Sequence, residues 1–199
     1  MIESFIAGLR ATSPLEAISV VLGLLYAILA VKRVRWCWVA GGVSSAILVY
    51  LAAMAKLPMQ SALQVYYVGM AVYGFWHWSR KGGATRAVTA LPLKYHVAAW
   101  VVIAIVSVLT AQWLAAETQA AWPLLDSLVT WTSLLATLLT ARVKVENWLY
   151  WIAADTVAVY LFAVQGLMFV ALLFVGFLIV SVVGFFTWHK ARLAGAPAS

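Results

Sequence analysis

The sequence is short of charge, acidic charge above all, and nearly free of cysteine. Of 199 residues only 6 are aspartate or glutamate, charged residues of both signs make up 10%, and Cys37 is the single cysteine. Soluble domains carry about a quarter charged residues, so this shortage excludes an ordinary soluble fold. A lone cysteine excludes a disulfide scaffold. There is no Gly-rich phosphate loop, no Ser-His-Asp order and no paired catalytic carboxylates, and His77, His96 and His189 have no zinc-type spacing. Neither an enzyme, a cofactor nor a metal site is expected.

What is present is hydrophobicity, at 66% of residues. That excludes disorder. The apolar runs are long and continuous, unlike the alternating segments of about ten residues in an outer-membrane barrel. Each run matches the roughly 20 residues that one helical crossing needs. Read between breakers, they give seven helices, about 15–31, 36–54, 60–79, 95–114, 122–140, 147–165 and 167–189. The expected fold class is an all-α polytopic membrane protein with the lipid bilayer as its surroundings. The first residues do not read as a cleaved signal, because Glu3 precedes the first run and the basic cluster follows it. The last helix lacks a lysine between 167 and 187, which excludes a retinal Schiff base there.

The net charge of +7 is unevenly placed. With alternate loops on opposite sides, one side holds eleven lysines and arginines and the other only Arg10 and Lys56. Basic loops stay in the cytoplasm, so the N-terminus is expected outside and the C-terminus inside. The charge sets topology and gives no support for nucleic-acid binding. Trp36, Trp38, Trp76, Trp78, Trp148, Trp151 and Trp188 fall near the basic boundary, as an interfacial aromatic belt would, with one or two free to turn inward and stack on a flat solute.

Shifted by 110 residues, the first three helices fall on the last three without a gap: Glu16 meets Asp126, Lys32 meets Arg142, Trp38 meets Trp148, Gly74 meets Gly184 and Trp78 meets Trp188. The expected plan is therefore three helices, one linker helix and three helices, with parallel repeats, and such proteins bind solutes between the repeats. The corresponding units are 1–94 (first repeat and its cytoplasmic loop), 95–121 (linker helix and outer loop), 122–190 (second repeat) and 191–199 (cytoplasmic tail).

Polar groups inside a membrane are costly and default to functional candidates. Asp155 lies eight residues beyond Asn147, about 12 Å along the helix and so near the bilayer centre. Asn147, Trp151 and Asp155 share one helical face, with Trp148 pointing partly away. On the third helix Gln64 and Tyr67 are candidates. Thr130, Ser133, Thr137 and Thr140 form a hydroxyl stripe that fits either helix packing or a polar wall. Asp126 and Glu16 sit near the outer helix ends, as anchors or as site residues.

The segments Gln64–Arg80 (QVYYVGMAVYGFWHWSR) and Val145–Trp151 (VENWLYW), followed by Asp155 and Gln165-Gly166, resemble the signatures of PnuC-type transporters, and Asp126-Ser127 also fits. The resemblance covers nearly the whole chain. It implies a fold like that of the SWEET sugar transporters, a homotrimer in the bacterial inner membrane, and uptake of nicotinamide riboside by facilitated diffusion, with trapping by a cytoplasmic kinase. It implies Gln64, Asn147, Trp148, Trp151 and Asp155, with Asp126 beside them, as pocket residues. Alternatives at this level are thiamine or riboflavin as cargo, proton coupling through Asp155, or a receptor or enzyme.

Overall fold

The computed structural model describes residues 13–54, 58–80, 87–118 and 122–195. Arg10, Lys56, Lys81 and Arg86 therefore lie outside the described residues. Seven helices follow one another: α1 (Pro14–Val31), α2 (Cys37–Met54), α3 (Pro58–Ser79), α4 (Leu93–Glu117), α5 (Pro123–Ala141), α6 (Asn147–Val164) and α7 (Met168–Leu193).

Their ends follow from local chemistry. α1 opens with a capping box: Ser13 Oγ accepts from Glu16 N–H at 3.3 Å, and a Glu16 carboxylate oxygen accepts from Ser13 N–H at 2.6 Å, satisfying two orphan donors. Glu16 is thus occupied in capping. α6 ends at Gly166, whose φ of 76° reverses the chain at once, with Leu167 N–H bonded to Phe162 O at 2.9 Å. α4 runs further than its apolar stretch suggested, to Glu117.

Six of these helices are long and apolar enough to cross a membrane, α3 being the exception to the expected seven. Its apolar count is diluted by Gln60, Gln64, Tyr66, Tyr67 and Tyr73, and several of these face the interior. The protein is a multi-pass membrane protein.

The helices pack as a ring in the order α1, α2, α3, α5, α6, α7 and back to α1, with α4 outside against α5. At one end the turns α1–α2 and α5–α6 repeat the same backbone form. Arg33 and Val143, 110 residues apart, both adopt left-handed φ of 55° and 54°, and donate to Ala30 O and Thr140 O at 2.9 and 3.0 Å. This end carries Lys32, Arg33, Arg35, Arg80, Lys94, Arg142, Lys144, Lys190 and Arg192; the opposite end, among the described residues, carries Glu16, Glu117 and Asp126. Arg33 is only 8% exposed, and burial lowers its guanidinium below the usual value, although a guanidinium stays charged in any protein setting.

The tryptophans expected as a belt divide. Trp36 and Trp76 are 54% and 51% exposed, whereas Trp38, Trp78, Trp148 and Trp188 are buried in one cluster. Sequence gives depth along a helix but not which neighbour covers each side chain.

Candidate functional site

A cavity of about 350 Å³ occupies the middle of the ring. All six ring helices line it and, among the described residues, α4 contributes none. Of the residues singled out from sequence, Gln64, Tyr67, Asp126, Trp148, Trp151 and Asp155 all line it. Asn147 does not.

Asp155, on the third turn of α6, is 4% exposed and accepts a hydrogen bond from Ser181 Oγ on α7 at 3.0 Å. That bond satisfies one oxygen and orients the carboxylate between α6 and α7. Asp126, one turn into α5, is the second carboxylate on the wall. Gln64, on α3, is 7% exposed and lines the cavity. The neighbouring Tyr66 hydroxyl donates to Leu134 O at 2.9 Å, fixing α3 against α5.

The hydroxyl stripe of α5 is a polar wall, since Thr130, Ser133, Thr137 and Thr140 all line the cavity. Thr137 donates to Ser133 O at 2.8 Å and Thr140 approaches Ala136 O at 2.9 Å. For Thr137 this back-bonding uses the hydroxyl proton within the helix and leaves acceptor lone pairs for the cavity, whereas the Thr140 hydroxyl proton is shared between Ala136 O and Asn147 Oδ1. Trp151 Nε1–H donates to Thr140 Oγ1 at 3.3 Å, which holds the indole at the wall. Asn147 lies behind this pair, 0% exposed: its Nδ2 donates to Lys144 O at 2.6 Å and its Oδ1 faces Thr140 Oγ1 at 3.0 Å. Its i, i+4, i+8 spacing with Trp151 and Asp155 is real, but α5 covers it. Asn147 thus touches the cavity only through Thr140 and Trp151.

Sequence reasoning passed over Tyr26, Gly41, Ser45 and Ser181, which also line the cavity. The Tyr26 ring lies over Gly41, where an added Cβ would come within 2.8 Å of it. A tyrosine in an apolar run carries no signal of its own, but the offset of 110 would have found the rest. It pairs Gly41 with Trp151, Ser45 with Asp155, Ala71 with Ser181 and Ala30 with Thr140, and all eight line the cavity. The two sides are matched in position and unmatched in polarity, because α5, α6 and α7 supply the stronger polar groups. Tyr26, Trp38, Tyr67, Trp148 and Trp151, with Phe162, Phe174 and Phe177, add aromatic surface. Among the described residues, no lysine, arginine or histidine lines the cavity.

Residues 13–190 match the model of a protein family described as nicotinamide mononucleotide transporter. The chain belongs to that family. Two relatives within it, each named nicotinamide riboside transporter PnuC, come from Escherichia coli (strain K12) and Shigella flexneri. Each is 26% identical over 221 residues, spanning 96% of this chain and 92% of its own. The fold also matches a crystal structure of the vitamin B3 transporter PnuC, with a TM-score of 0.73 and 22% identity, over 92% of this chain and 83% of that one. This protein is accordingly a membrane transporter with a PnuC-like fold.

Proposed function

We propose that the protein moves nicotinamide riboside across the membrane by facilitated diffusion. The observation that carries this reading is a cavity whose wall has two carboxylates and eight aromatic side chains but, among the described residues, no cationic one. Nicotinamide riboside is a flat pyridinium cation bearing a carboxamide and a polyhydroxyl ribose. A cation stacked on an indole gains about 0.5–2 kcal/mol, Asp155 can offset the charge or accept ribose hydroxyls, and Gln64 can pair with the carboxamide. The cavity volume lies within the range of small-molecule sites.

The family description names the mononucleotide, whereas the two relatives are named for the riboside. The chemistry favours the riboside. A phosphate monoester carries close to two negative charges at neutral pH, and beside Asp126 and Asp155 it would have no counter-charge. The same mismatch makes phosphorylation by a cytoplasmic kinase an effective trap.

The wider reading has Gln64, Tyr67, Asp126, Trp148, Trp151 and Asp155 contacting substrate, and Asn147 supporting them from behind. Two parallel three-helix repeats, 1–94 and 122–190, with a linker helix and outer loop at 95–121 and a tail at 191–199, are supported by the contacts that recur at the 110-residue offset. An outside N-terminus and a cytoplasmic C-terminus are supported by the basic end of the bundle. A homotrimer in a bacterial inner membrane follows the family resemblance.

The deciding experiment is counterflow of labelled nicotinamide riboside in proteoliposomes without kinase or ion gradient. Exchange blocked by unlabelled riboside, and not by nicotinamide mononucleotide, thiamine or riboflavin, is the expected result. Competition by the mononucleotide would overturn the charge argument, and uptake that needs a proton gradient would reassign Asp155 as a proton relay.

A further inference from the structure

Two tryptophans fasten one half of the ring to the other at the basic end. Trp78 on α3 donates its indole N–H to Ala141 O, the last residue of α5, at 2.9 Å. Trp188 on α7 donates to Val31 O, the last residue of α1, at 3.0 Å. Each also stands edge-on to a ring that lines the cavity: Trp78 against Trp38 and Trp188 against Trp148, both at 5.5 Å and 90°. The four rings are buried in a single cluster that also holds Val88 and Cys37. Val88 arrives on a short segment whose hydrogen bonds, among the described residues, go to the second half. Thr89 pairs with Val143 O at 3.2 Å and Val145 N at 3.0 Å, and Leu91 N–H bonds Glu146 Oε1 at 3.0 Å.

We infer that Trp78 and Trp188 are the paired latches of a gate that closes the cavity toward the basic end. A solute leaving in that direction must part these rings. The acceptors suit a bond that repeatedly opens: the last carbonyls of a helix have no partner within it, so water can replace the indole without unravelling α1 or α5. Val88 would travel with the second half as the gate parts. The inference rests on the transport reading above and adds to it the residues that alternate.

Cys37, the single cysteine, is fully buried within the closed cluster, so its thiol reports opening without any engineered label. The test measures alkylation of Cys37 by a membrane-impermeant maleimide applied to either face of the vesicles, in wild type and in Trp78→Phe, Trp188→Phe and the double variant. Phenylalanine keeps the ring and deletes the donor. Loss of one neutral hydrogen bond should raise the labelling rate about fivefold, and the double variant should exceed either single one. Riboside affinity should stay within about threefold, because neither latch lines the cavity. Wild-type labelling rates in the folded double variant would overturn the inference. Wild type alone also decides it: during exchange, labelling from the basic face is expected, and labelling from neither face or equally from both would overturn it. Absent counterflow with latch-dependent labelling would instead count against the riboside reading and leave the gate standing.

Discussion

The indole of Trp148 lies across Gly184 so closely that a methyl group added there would sit 2.6 Å from three ring atoms. Trp38 covers Gly74 in the same manner, at 2.3 Å. Both rings reach the cavity only because the facing helix offers a bare backbone. The glycines thus set how near α3 comes to α2 and α7 to α6, and through that the width of the cavity at its basic end.

Gly74→Ala and Gly184→Ala should therefore each destabilise the protein, by about 1–3 kcal/mol for an overfilled packed site. Thermal unfolding in detergent measures this, and the two losses should be similar. Wild-type melting for either variant would mean that its tryptophan yields freely.

Asp155→Asn should weaken riboside binding about 30-fold, roughly the 2 kcal/mol at the low end of losing one partner of a buried charge pair. The reduced riboside, whose ring is uncharged, should lose much less affinity. Equal losses for both ligands in a calorimetric titration would assign Asp155 to the ribose rather than to the cation.

Thr140→Val should remove the anchor of Trp151 and strand the buried Oδ1 of Asn147. An unsatisfied buried acceptor costs about 1–3 kcal/mol, so a lower melting temperature and a severalfold weaker affinity should appear together. Asn147→Ala in the Thr140→Val background should then cost less stability than in wild type, since the stranded group is gone.

Gly41→Ala should push the Tyr26 ring off its present position and into the cavity. Binding should fall roughly 5- to 10-fold, about the 1–1.4 kcal/mol that a displaced aromatic contact is worth, with little change in fold. A second substitution, Tyr26→Phe, should not restore it, because the ring rather than the hydroxyl makes the collision.

Much of this was legible in the sequence, and the reasons for the rest are physical. Long apolar runs specified the helices, and the rarity of intramembrane polar groups singled out Asp155 and Gln64. Spacing along α6 placed Asn147 on the same face as Trp151 and Asp155, but no pattern within one helix reveals that α5 covers its first turn. The α5 hydroxyls fitted packing or a polar wall equally well until the partner helices were in place. Trp78 and Trp188 read as belt residues because depth is encoded in the chain position, whereas a bond to the end of a distant helix is not. Tyr26 had no signal, since only Gly41 on the next helix makes room for its ring.

α4 stands outside the ring, and none of its described residues reaches the cavity. Its inward side is held by Ile103, Ser107 and Ala111, which are buried, and by Thr110, which accepts from Trp131 Nε1 at 3.0 Å. Its outward side, with Val97, Val101, Val102, Ile105 and Leu109, has only to remain apolar. Exchanges among aliphatic residues there cost little. In a lineage of such chains, the outer face of α4 is where drift can accumulate fastest, leaving a helix free to acquire new neighbours while the compartment beside it keeps its chemistry.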